Sequence, residues 1–213
     1  MRPDHEPIRR RFPELQPDQL ERLERFHQLI EDWNAKVNLV SRADVANLAR
    51  RHLLHSLAIA KVAAFEPETR FLDVGTGGGL PGIPLAIALP RCRFHLVDSV
   101  GKKIRVVQEA IDALELKNAS AEQVRAERLG GPFDFVLARA VTQLPVFISW
   151  VRELVRRPGS NPIANGVLYL KGGDWQAEAK GLPETPRAYP LEDLLPGAGF
   201  EDKAVLHIPV GRP

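Results

Sequence analysis

Cysteine is almost missing from this chain. Among 213 residues only Cys92 occurs, so no intramolecular disulfide can form and a zinc site built on cysteine pairs is excluded. Cys92 sits between Arg91 and Arg93, just ahead of an expected strand, and is read as structural rather than as the nucleophile that C5 methylation of a pyrimidine would need. Long apolar runs are also lacking. None approaches the ~20 residues that span a bilayer, and no apolar stretch follows Met1-Arg2-Pro3-Asp4-His5-Glu6 as in a secretory leader. The expectation is a soluble, cytoplasmic, monomeric protein with no membrane contact and no metal. Three Trp and two Tyr are too few for an aromatic platform on which successive bases could stack. Charge of one sign is not in large excess: 29 Lys and Arg against 27 Asp and Glu leave +2. Any nucleic-acid contact must therefore come from local clusters rather than from the overall field.

What is present looks like an ordinary globular chain, 44% hydrophobic and 26% charged, long enough for one domain with an appendage. Two textures divide it. Residues 1–65 carry helical spacing only: Leu20, Leu23, Phe26, Leu29, Ile30 and Trp33 recur every three or four positions, after a capping region at Pro17-Asp18. A second helix is expected from about Asp44 to Ala64, with Asn34–Ser41 as a loop between them. Arg9-Arg10-Arg11 reads as a flexible basic arm. From residue 66 to 213 short strand-like runs alternate with helical ones. Strands are expected at Arg70–Val74, Arg93–Val97, Phe133–Ala138 and Val167–Leu170, with a weaker one at Ala119–Val124. Helices are expected at Pro81–Leu89, Ser99–Leu114, Gln143–Arg156 and Asp174–Lys180. Such alternation implies a mostly parallel sheet with helices on both faces. Two further runs, Pro190–Leu195 and Lys203–Ile208, are expected to close one edge as an antiparallel pair. Arg157–Asn165 reads as a surface loop.

The chemistry concentrates where the first strand ends. Asp73-Val74-Gly75-Thr76-Gly77-Gly78-Gly79-Leu80-Pro81-Gly82 packs five glycines into eight residues, a costly composition unless a ligand needs the space. Gly77-x-Gly79-x-x-Gly82 even satisfies the dinucleotide fingerprint. Asp98, at the end of the next strand, stands where a carboxylate can grip two ribose hydroxyls. NAD and S-adenosylmethionine share that adenosine. Asp73 shifts the balance: a carboxylate ahead of the first glycine repels a pyrophosphate but suits the ammonium and sulfonium of S-adenosylmethionine. A nicotinamide cofactor, or a glycine turn with no ligand, stays open on these residues alone.

The remaining residues narrow the chemistry. The Asn- or Asp-Pro-Pro-aromatic loop common in methylation of exocyclic amines is absent after the fourth strand, where Ala138-Arg139-Ala140 stands instead. Arg139 cannot act as a general base but can clamp a carboxylate, a phosphate or a base edge. A site without a base suits an acceptor that bears no proton, such as guanine N7, which needs alignment only. Lys171-Gly172-Gly173 follows a strand and sits at its ligand-binding end. Lys102, Lys103 and Arg105 open the helix after Asp98, where they face phosphates or solvent. His52 and His55 are read as boundary or core histidines.

At this point the residues resemble a known family. Phe71 to Ala86, with its Leu80-Pro81-Gly82-Ile83-Pro84-Leu85 extension, is similar to the bacterial 16S rRNA guanine-N7 methyltransferases, also called glucose-inhibited division protein B. The likeness continues through Leu96-Val97-Asp98-Ser99-Val100-Gly101-Lys102-Lys103, Ala138-Arg139-Ala140, Leu170-Lys171-Gly172 and, upstream, Trp33-Asn34, Val37-Asn38-Leu39 and Arg51-His52-Leu53-Leu54-His55-Ser56. His55 stands where the family usually has Asp. The resemblance implies an α/β class I methyltransferase (Rossmann-like) domain over 66–213 with an N-terminal helical extension over 1–65. It implies S-adenosylmethionine as cofactor and, as target, a guanine of the 530 loop in 16S rRNA, in the 30S subunit or its precursor. The cofactor positions carried over are Gly75, Leu80, Ala126, Glu127 and Arg139. Asp73, Gly77, Gly79, Asp98 and Ser99 join them from the loop chemistry, and Arg139, Lys171 and Asn38 are the candidate catalytic set. Methylation of a small molecule or protein, and an RNA-binding module with a relict pocket, are the alternatives.

Overall fold

The structure, a computed structural model, describes residues 5–41 and 47–210. It begins with α1 (Glu6–Arg11) and α2 (Pro17–Asn34). Ile8 and Phe12, four apart, are both buried, which seats the first helix on the core. Arg9 pairs with Glu24 and Arg11 donates to the Pro196 carbonyl. Arg9–Arg11 therefore belong to a docked helix and not to a flexible arm. Pro17 occupies the first turn of α2, where a missing N–H costs nothing, and the Gln16 N–H donates to the Gln19 side chain to close the end. The expected loop from Asn34 is built on its own side chain, whose Oδ1 accepts from the Leu39 and Val40 amides at 2.8 and 2.9 Å.

The second expected helix is α3, a continuous helical run over 49–61. It is π-helical over Ala49–Leu54, α-helical over His55–Leu57 and tightens to a 3-10 turn over Ala58–Lys61. Asp44 and Val45, expected near its start, lie outside the described residues. No helix among the described residues is long and apolar enough to cross a membrane.

Strands and helices then alternate as β1 (Arg70–Val74), α4 (Gly82–Ala88), β2 (Arg93–Asp98), α5 (Gly101–Ala113), β3 (Ala119–Gln123), β4 (Phe135–Arg139), α6 (Leu144–Val151), β5 (Gly166–Gly172), α7 (Trp175–Ala179), β6 (Arg187–Pro190), α8 (Leu191–Leu194) and β7 (Lys203–Ile208). They form one seven-stranded sheet of order β3-β2-β1-β4-β5-β7-β6. The first five strands are parallel, and β7 runs antiparallel to both β5 and β6. The strand Phe133–Ala138 starts two residues later than expected, because Phe133 bridges to Val155 instead. The expected tail strand Pro190–Leu195 is displaced: β6 ends at Pro190 and the chain turns into α8. Leu191 and Leu195, four apart, are both fully buried, and Glu192 and Asp193 sit in the first helical turn, where acidic side chains favour the helix.

Successive strand residues point to opposite faces, and the two faces have different coverings. Phe71, Leu96, Phe135, Leu137 and Leu168 pack with residues of α1 to α5 and α8. The described residues before β1, 5–41 and 47–65, thus contribute to one hydrophobic cluster with the sheet. On the other face Leu72, Val97, Val136, Val167 and Tyr169 pack with α6. The strand order reverses between β1 and β4, and in open α/β sheets the crevice beyond the carboxyl ends of strands at such a reversal receives the ligand.

Candidate active site

The glycine loop leaves β1 at that reversal. Gly75 and Thr76 both donate to the Val97 carbonyl, at 2.9 and 3.0 Å, so the turn is tied to β2 from its first residues. Asp73 is buried beneath it. Its Oδ2 accepts from the Thr76 hydroxyl at 2.6 Å and from the Gly82 amide at 2.9 Å. Burial pushes this carboxyl up to about 6 from the usual carboxylate range, despite those bonds and the Arg139 charge. A Cβ on Gly82 would meet Asp73 Oδ2 and Leu96 Cδ2, each at 2.7 Å, so a glycine lets the start of α4 close onto the carboxylate.

Two cavities meet at this loop, and Gly75 lines both. The smaller, about 200 Å³, lies between Asp98, Ser99, Ala126, Glu127, Val141 and Trp150. Asp98 Oδ2 accepts from the Gly77 amide at 3.1 Å and its Oδ1 from the Val100 amide at 2.9 Å, which fixes the carboxylate at the cavity wall. The larger cavity, about 910 Å³, runs from Gly77 and Leu80 past Arg139 to Lys171, Phe200 and Lys203. At Gly77 the backbone has φ +60°, and an added Cβ would meet nothing nearer than the Gly75 carbonyl at 4.0 Å. The space above that residue is open for a ligand, and the glycine is needed for the turn.

The larger cavity is rich in cations and is walled by both halves of the chain. Arg139, at the end of β4, donates from Nη1 to His52 Nδ1 at 2.8 Å. A guanidinium carries no acceptor, so Nδ1 of His52 holds a lone pair in this contact. Lys171 pairs with Glu178 at 2.7 Å, and Glu178 also accepts from the Leu144 amide at 2.9 Å. His55 is stacked on Phe200 with ring centroids 5.3 Å apart, and its Nε2 is buried without a hydrogen-bond partner. Burial first, then the charges of Arg139, Lys203 and His52, hold its pKa well below the usual histidine range. Arg50, Arg51 and Lys103 complete the basic lining, with Asp202 as an acidic member.

The structure thus brings together Gly75, Gly77, Leu80, Arg139 and Lys171 in the larger cavity, and Gly75, Asp98, Ser99, Ala126 and Glu127 in the smaller. Three expected residues stand elsewhere. Asp73 lines neither cavity; its Oδ2 is turned inward onto Thr76 and Gly82, while its Oδ1 is buried without a hydrogen-bond partner. Gly79 also lines neither, because a Cβ there would meet Ile83 Cγ1 at 2.6 Å; it lets α4 pack. Asn38 is exposed and lines a separate surface depression with Asn34, Lys36 and Ser41, although its neighbour Leu39 reaches the main cavity. Conversely, His52 and His55, expected to be core or boundary residues, line the cavity, as do Phe200 and Lys203. Cys92 is buried, and desolvation raises its thiol to about 11, which leaves it inert at neutral pH.

Comparison with known proteins places the chain in a family. The model of the family GidB, rRNA small subunit methyltransferase G, matches residues 19–190. The chain belongs to this family. It is 49% identical over 199 residues to the Ribosomal RNA small subunit methyltransferase G of Flavobacterium johnsoniae, covering 93% of this chain and 95% of that one. It is 42% identical over 199 residues to the namesake from Phocaeicola vulgatus, covering 93% and 95%. Among solved structures, a SAM-dependent methyltransferase from Aquifex aeolicus superposes with TM-score 0.55 at 14% identity, covering 80% of this chain and 100% of that one. Aeropyrum pernix fibrillarin superposes with TM-score 0.54 at 16% identity, covering 75% of each chain. The fold is therefore that of class I methyltransferases, and this member of the methyltransferase G family is an enzyme.

Proposed function

We propose that the protein transfers a methyl group from S-adenosylmethionine to N7 of a guanine in the 530 loop of 16S ribosomal RNA. The observation that carries this reading is the pair of cavities joined at Gly75, one edged by carboxylates and one lined by cations. The residues present suit the cofactor. Asp98 and Glu127 offer acceptors for ribose hydroxyls and an adenine amino group, the Gly75–Gly77 backbone allows close approach, and Leu80 shapes the wall. When bound, S-adenosylmethionine supplies an electrophilic methyl group on a sulfonium. Asp73 acts from beneath, holding Thr76 and Gly82 so that the turn keeps its shape.

The larger cavity receives the acceptor base and its phosphates. Arg139 and Lys171 orient target or cofactor, and Arg50, Arg51, Lys103 and Lys203 attract the RNA backbone. Among the described residues that line this cavity no side chain is a strong base. Arg139 is always charged, His52 Nδ1 is engaged with it, and His55 is kept a poor base by burial. Guanine N7 has no proton to remove, so alignment suffices.

The test is methyl transfer from labelled S-adenosylmethionine to 30S particles or their precursor by the pure protein. Label should appear in 16S rRNA, and borohydride reduction followed by aniline cleavage, which cuts at N7-methylguanine, should map it to the 530 loop. Label confined to small amines, acids or protein, with rRNA unlabelled, would sink the proposal.

A further inference from the structure

The segment that leaves β4 forms part of both cavities, yet it carries no regular structure of its own between Arg139 and the start of α6. Ala140 sits at φ +53°, a left-handed conformation that a residue with a Cβ adopts only when its surroundings impose it. The two residues that follow it are tied from β5. Tyr169 is fully buried, and its hydroxyl oxygen accepts from the Val141 amide at 3.0 Å and the Thr142 amide at 3.1 Å while donating to the Thr142 carbonyl at 2.9 Å. One phenol oxygen thus satisfies three backbone groups in two consecutive residues. Two positions along the same strand face, Lys171 holds Glu178, which accepts from the Leu144 amide and fixes where the segment enters α6.

Val141 connects this tie to the cofactor side. Its Cγ2 lies 2.9 Å from where a Cβ on Gly75 would stand, so the valine fills the space against the glycine loop. Val141 also lines the smaller cavity with Asp98 and Glu127. Tyr169 itself lines neither cavity.

We infer that the Tyr169 hydroxyl is a positioning group for the cofactor site: it holds the turn from Ala140 to Thr142 so that Val141 closes the cavity at Gly75. This rests on the proposed use of that cavity for S-adenosylmethionine. Without the hydroxyl, two partly buried amides lose their acceptor, the turn samples other conformations, and only the fraction in the native shape binds.

The experiment compares the unchanged protein with Tyr169→Phe and Val141→Ala. S-adenosylmethionine affinity is read by calorimetry and amide hydrogen exchange by mass spectrometry. Tyr169→Phe should exchange faster at Val141 and Thr142, with β1 and β4 amides unchanged, and should bind S-adenosylmethionine about ten-fold more weakly. At saturating cofactor its kcat should stay near that of the unchanged protein, so the defect falls on KM. Val141→Ala keeps the three Tyr169 bonds; it should weaken binding with no change in exchange at residues 141 and 142. Unaltered affinity in Tyr169→Phe overturns the inference, as does faster exchange spread evenly through the sheet, which marks a structural role alone. Failure of the unchanged protein to bind S-adenosylmethionine at all would instead overturn the proposed function, and this inference with it.

Discussion

A single carboxylate shows how one side chain can serve a loop from beneath. Asp73 ahead of the glycines argued for a cation-bearing cofactor over a pyrophosphate. One of its oxygens is spent on Thr76 and Gly82, and its cost is electrostatic: burial pushes the folded carboxyl up to about 6 from 3.8. A group whose folded pKa is raised binds protons more tightly folded than unfolded, so stability is lost as pH rises from about 4 to about 6. A shift of that size corresponds to about 3 kcal/mol at full strength. Asp73→Asn carries no such charge and keeps an acceptor for Gly82. The difference in Tm between Asp73→Asn and the unchanged protein, without cofactor, should therefore grow from pH 4 to pH 6 and level off above. A difference independent of pH would mean that the carboxylate is neutralised or solvated.

Elements with one clear pattern were legible, and those built from distant partners were not. β1, β2 and β5 follow from short apolar runs bounded by turn residues, buried on both faces. β3, Ala-Ser-Ala-Glu-Gln, was only weakly legible because it is a polar edge strand with little to bury. In the tail, four residues of Leu-Glu-Asp-Leu cannot separate a strand from one helical turn; the i, i+4 pair Leu191 and Leu195 decides once the core exists. The glycine loop was legible because its residues are consecutive. His52 was not, because its partner Arg139 lies 87 positions away. Tyr169 looked like any aromatic in a buried strand, and only the backbone it meets gives its hydroxyl a task. Element junctions also carry stability. Asp134, fully buried at the entry to β4, accepts from Arg156 at 2.7 and 2.9 Å, from Asn165 at 2.9 Å and from the Arg70 amide at 2.8 Å. It joins β1, β4 and the loop before β5. Asp134→Ala should cost about 1–3 kcal/mol, since the Arg70 amide and one of the two Asn165 donor bonds lose their acceptor. Urea unfolding checks this; an unchanged midpoint would show that water replaces the carboxylate.

At the scale of the molecule, a net charge of +2 conceals a sharp asymmetry. Arg50, Arg51, Lys103, Arg139, Lys171 and Lys203 line one cavity, with Asp202 as its acidic counterweight. The sequence scatters these residues over more than 150 positions, so composition alone could not show them as a patch. If they neutralise RNA phosphates, association should weaken steeply with salt. Removing one half-buried contributor, as in Lys203→Ala, should lower the slope of log affinity against log salt by about one. Titration of 30S particles or a 530-loop RNA at several salt concentrations measures it. An unchanged slope would place the RNA on another face.

The hydrogen bond from Arg139 to His52 reaches from the sheet to the helical run before it, and it has an evolutionary corollary. A binding wall shared between an extension and a core cannot be inherited piecemeal. Grafting the parallel sheet of this enzyme onto a different N-terminal segment would leave the His52 side of the larger cavity behind and strip Phe26 and Ile30 from the back of the glycine loop. Changes in that cavity should therefore arise by altering both segments together, and exchange of the extension alone should disturb the glycine loop as well as the larger cavity.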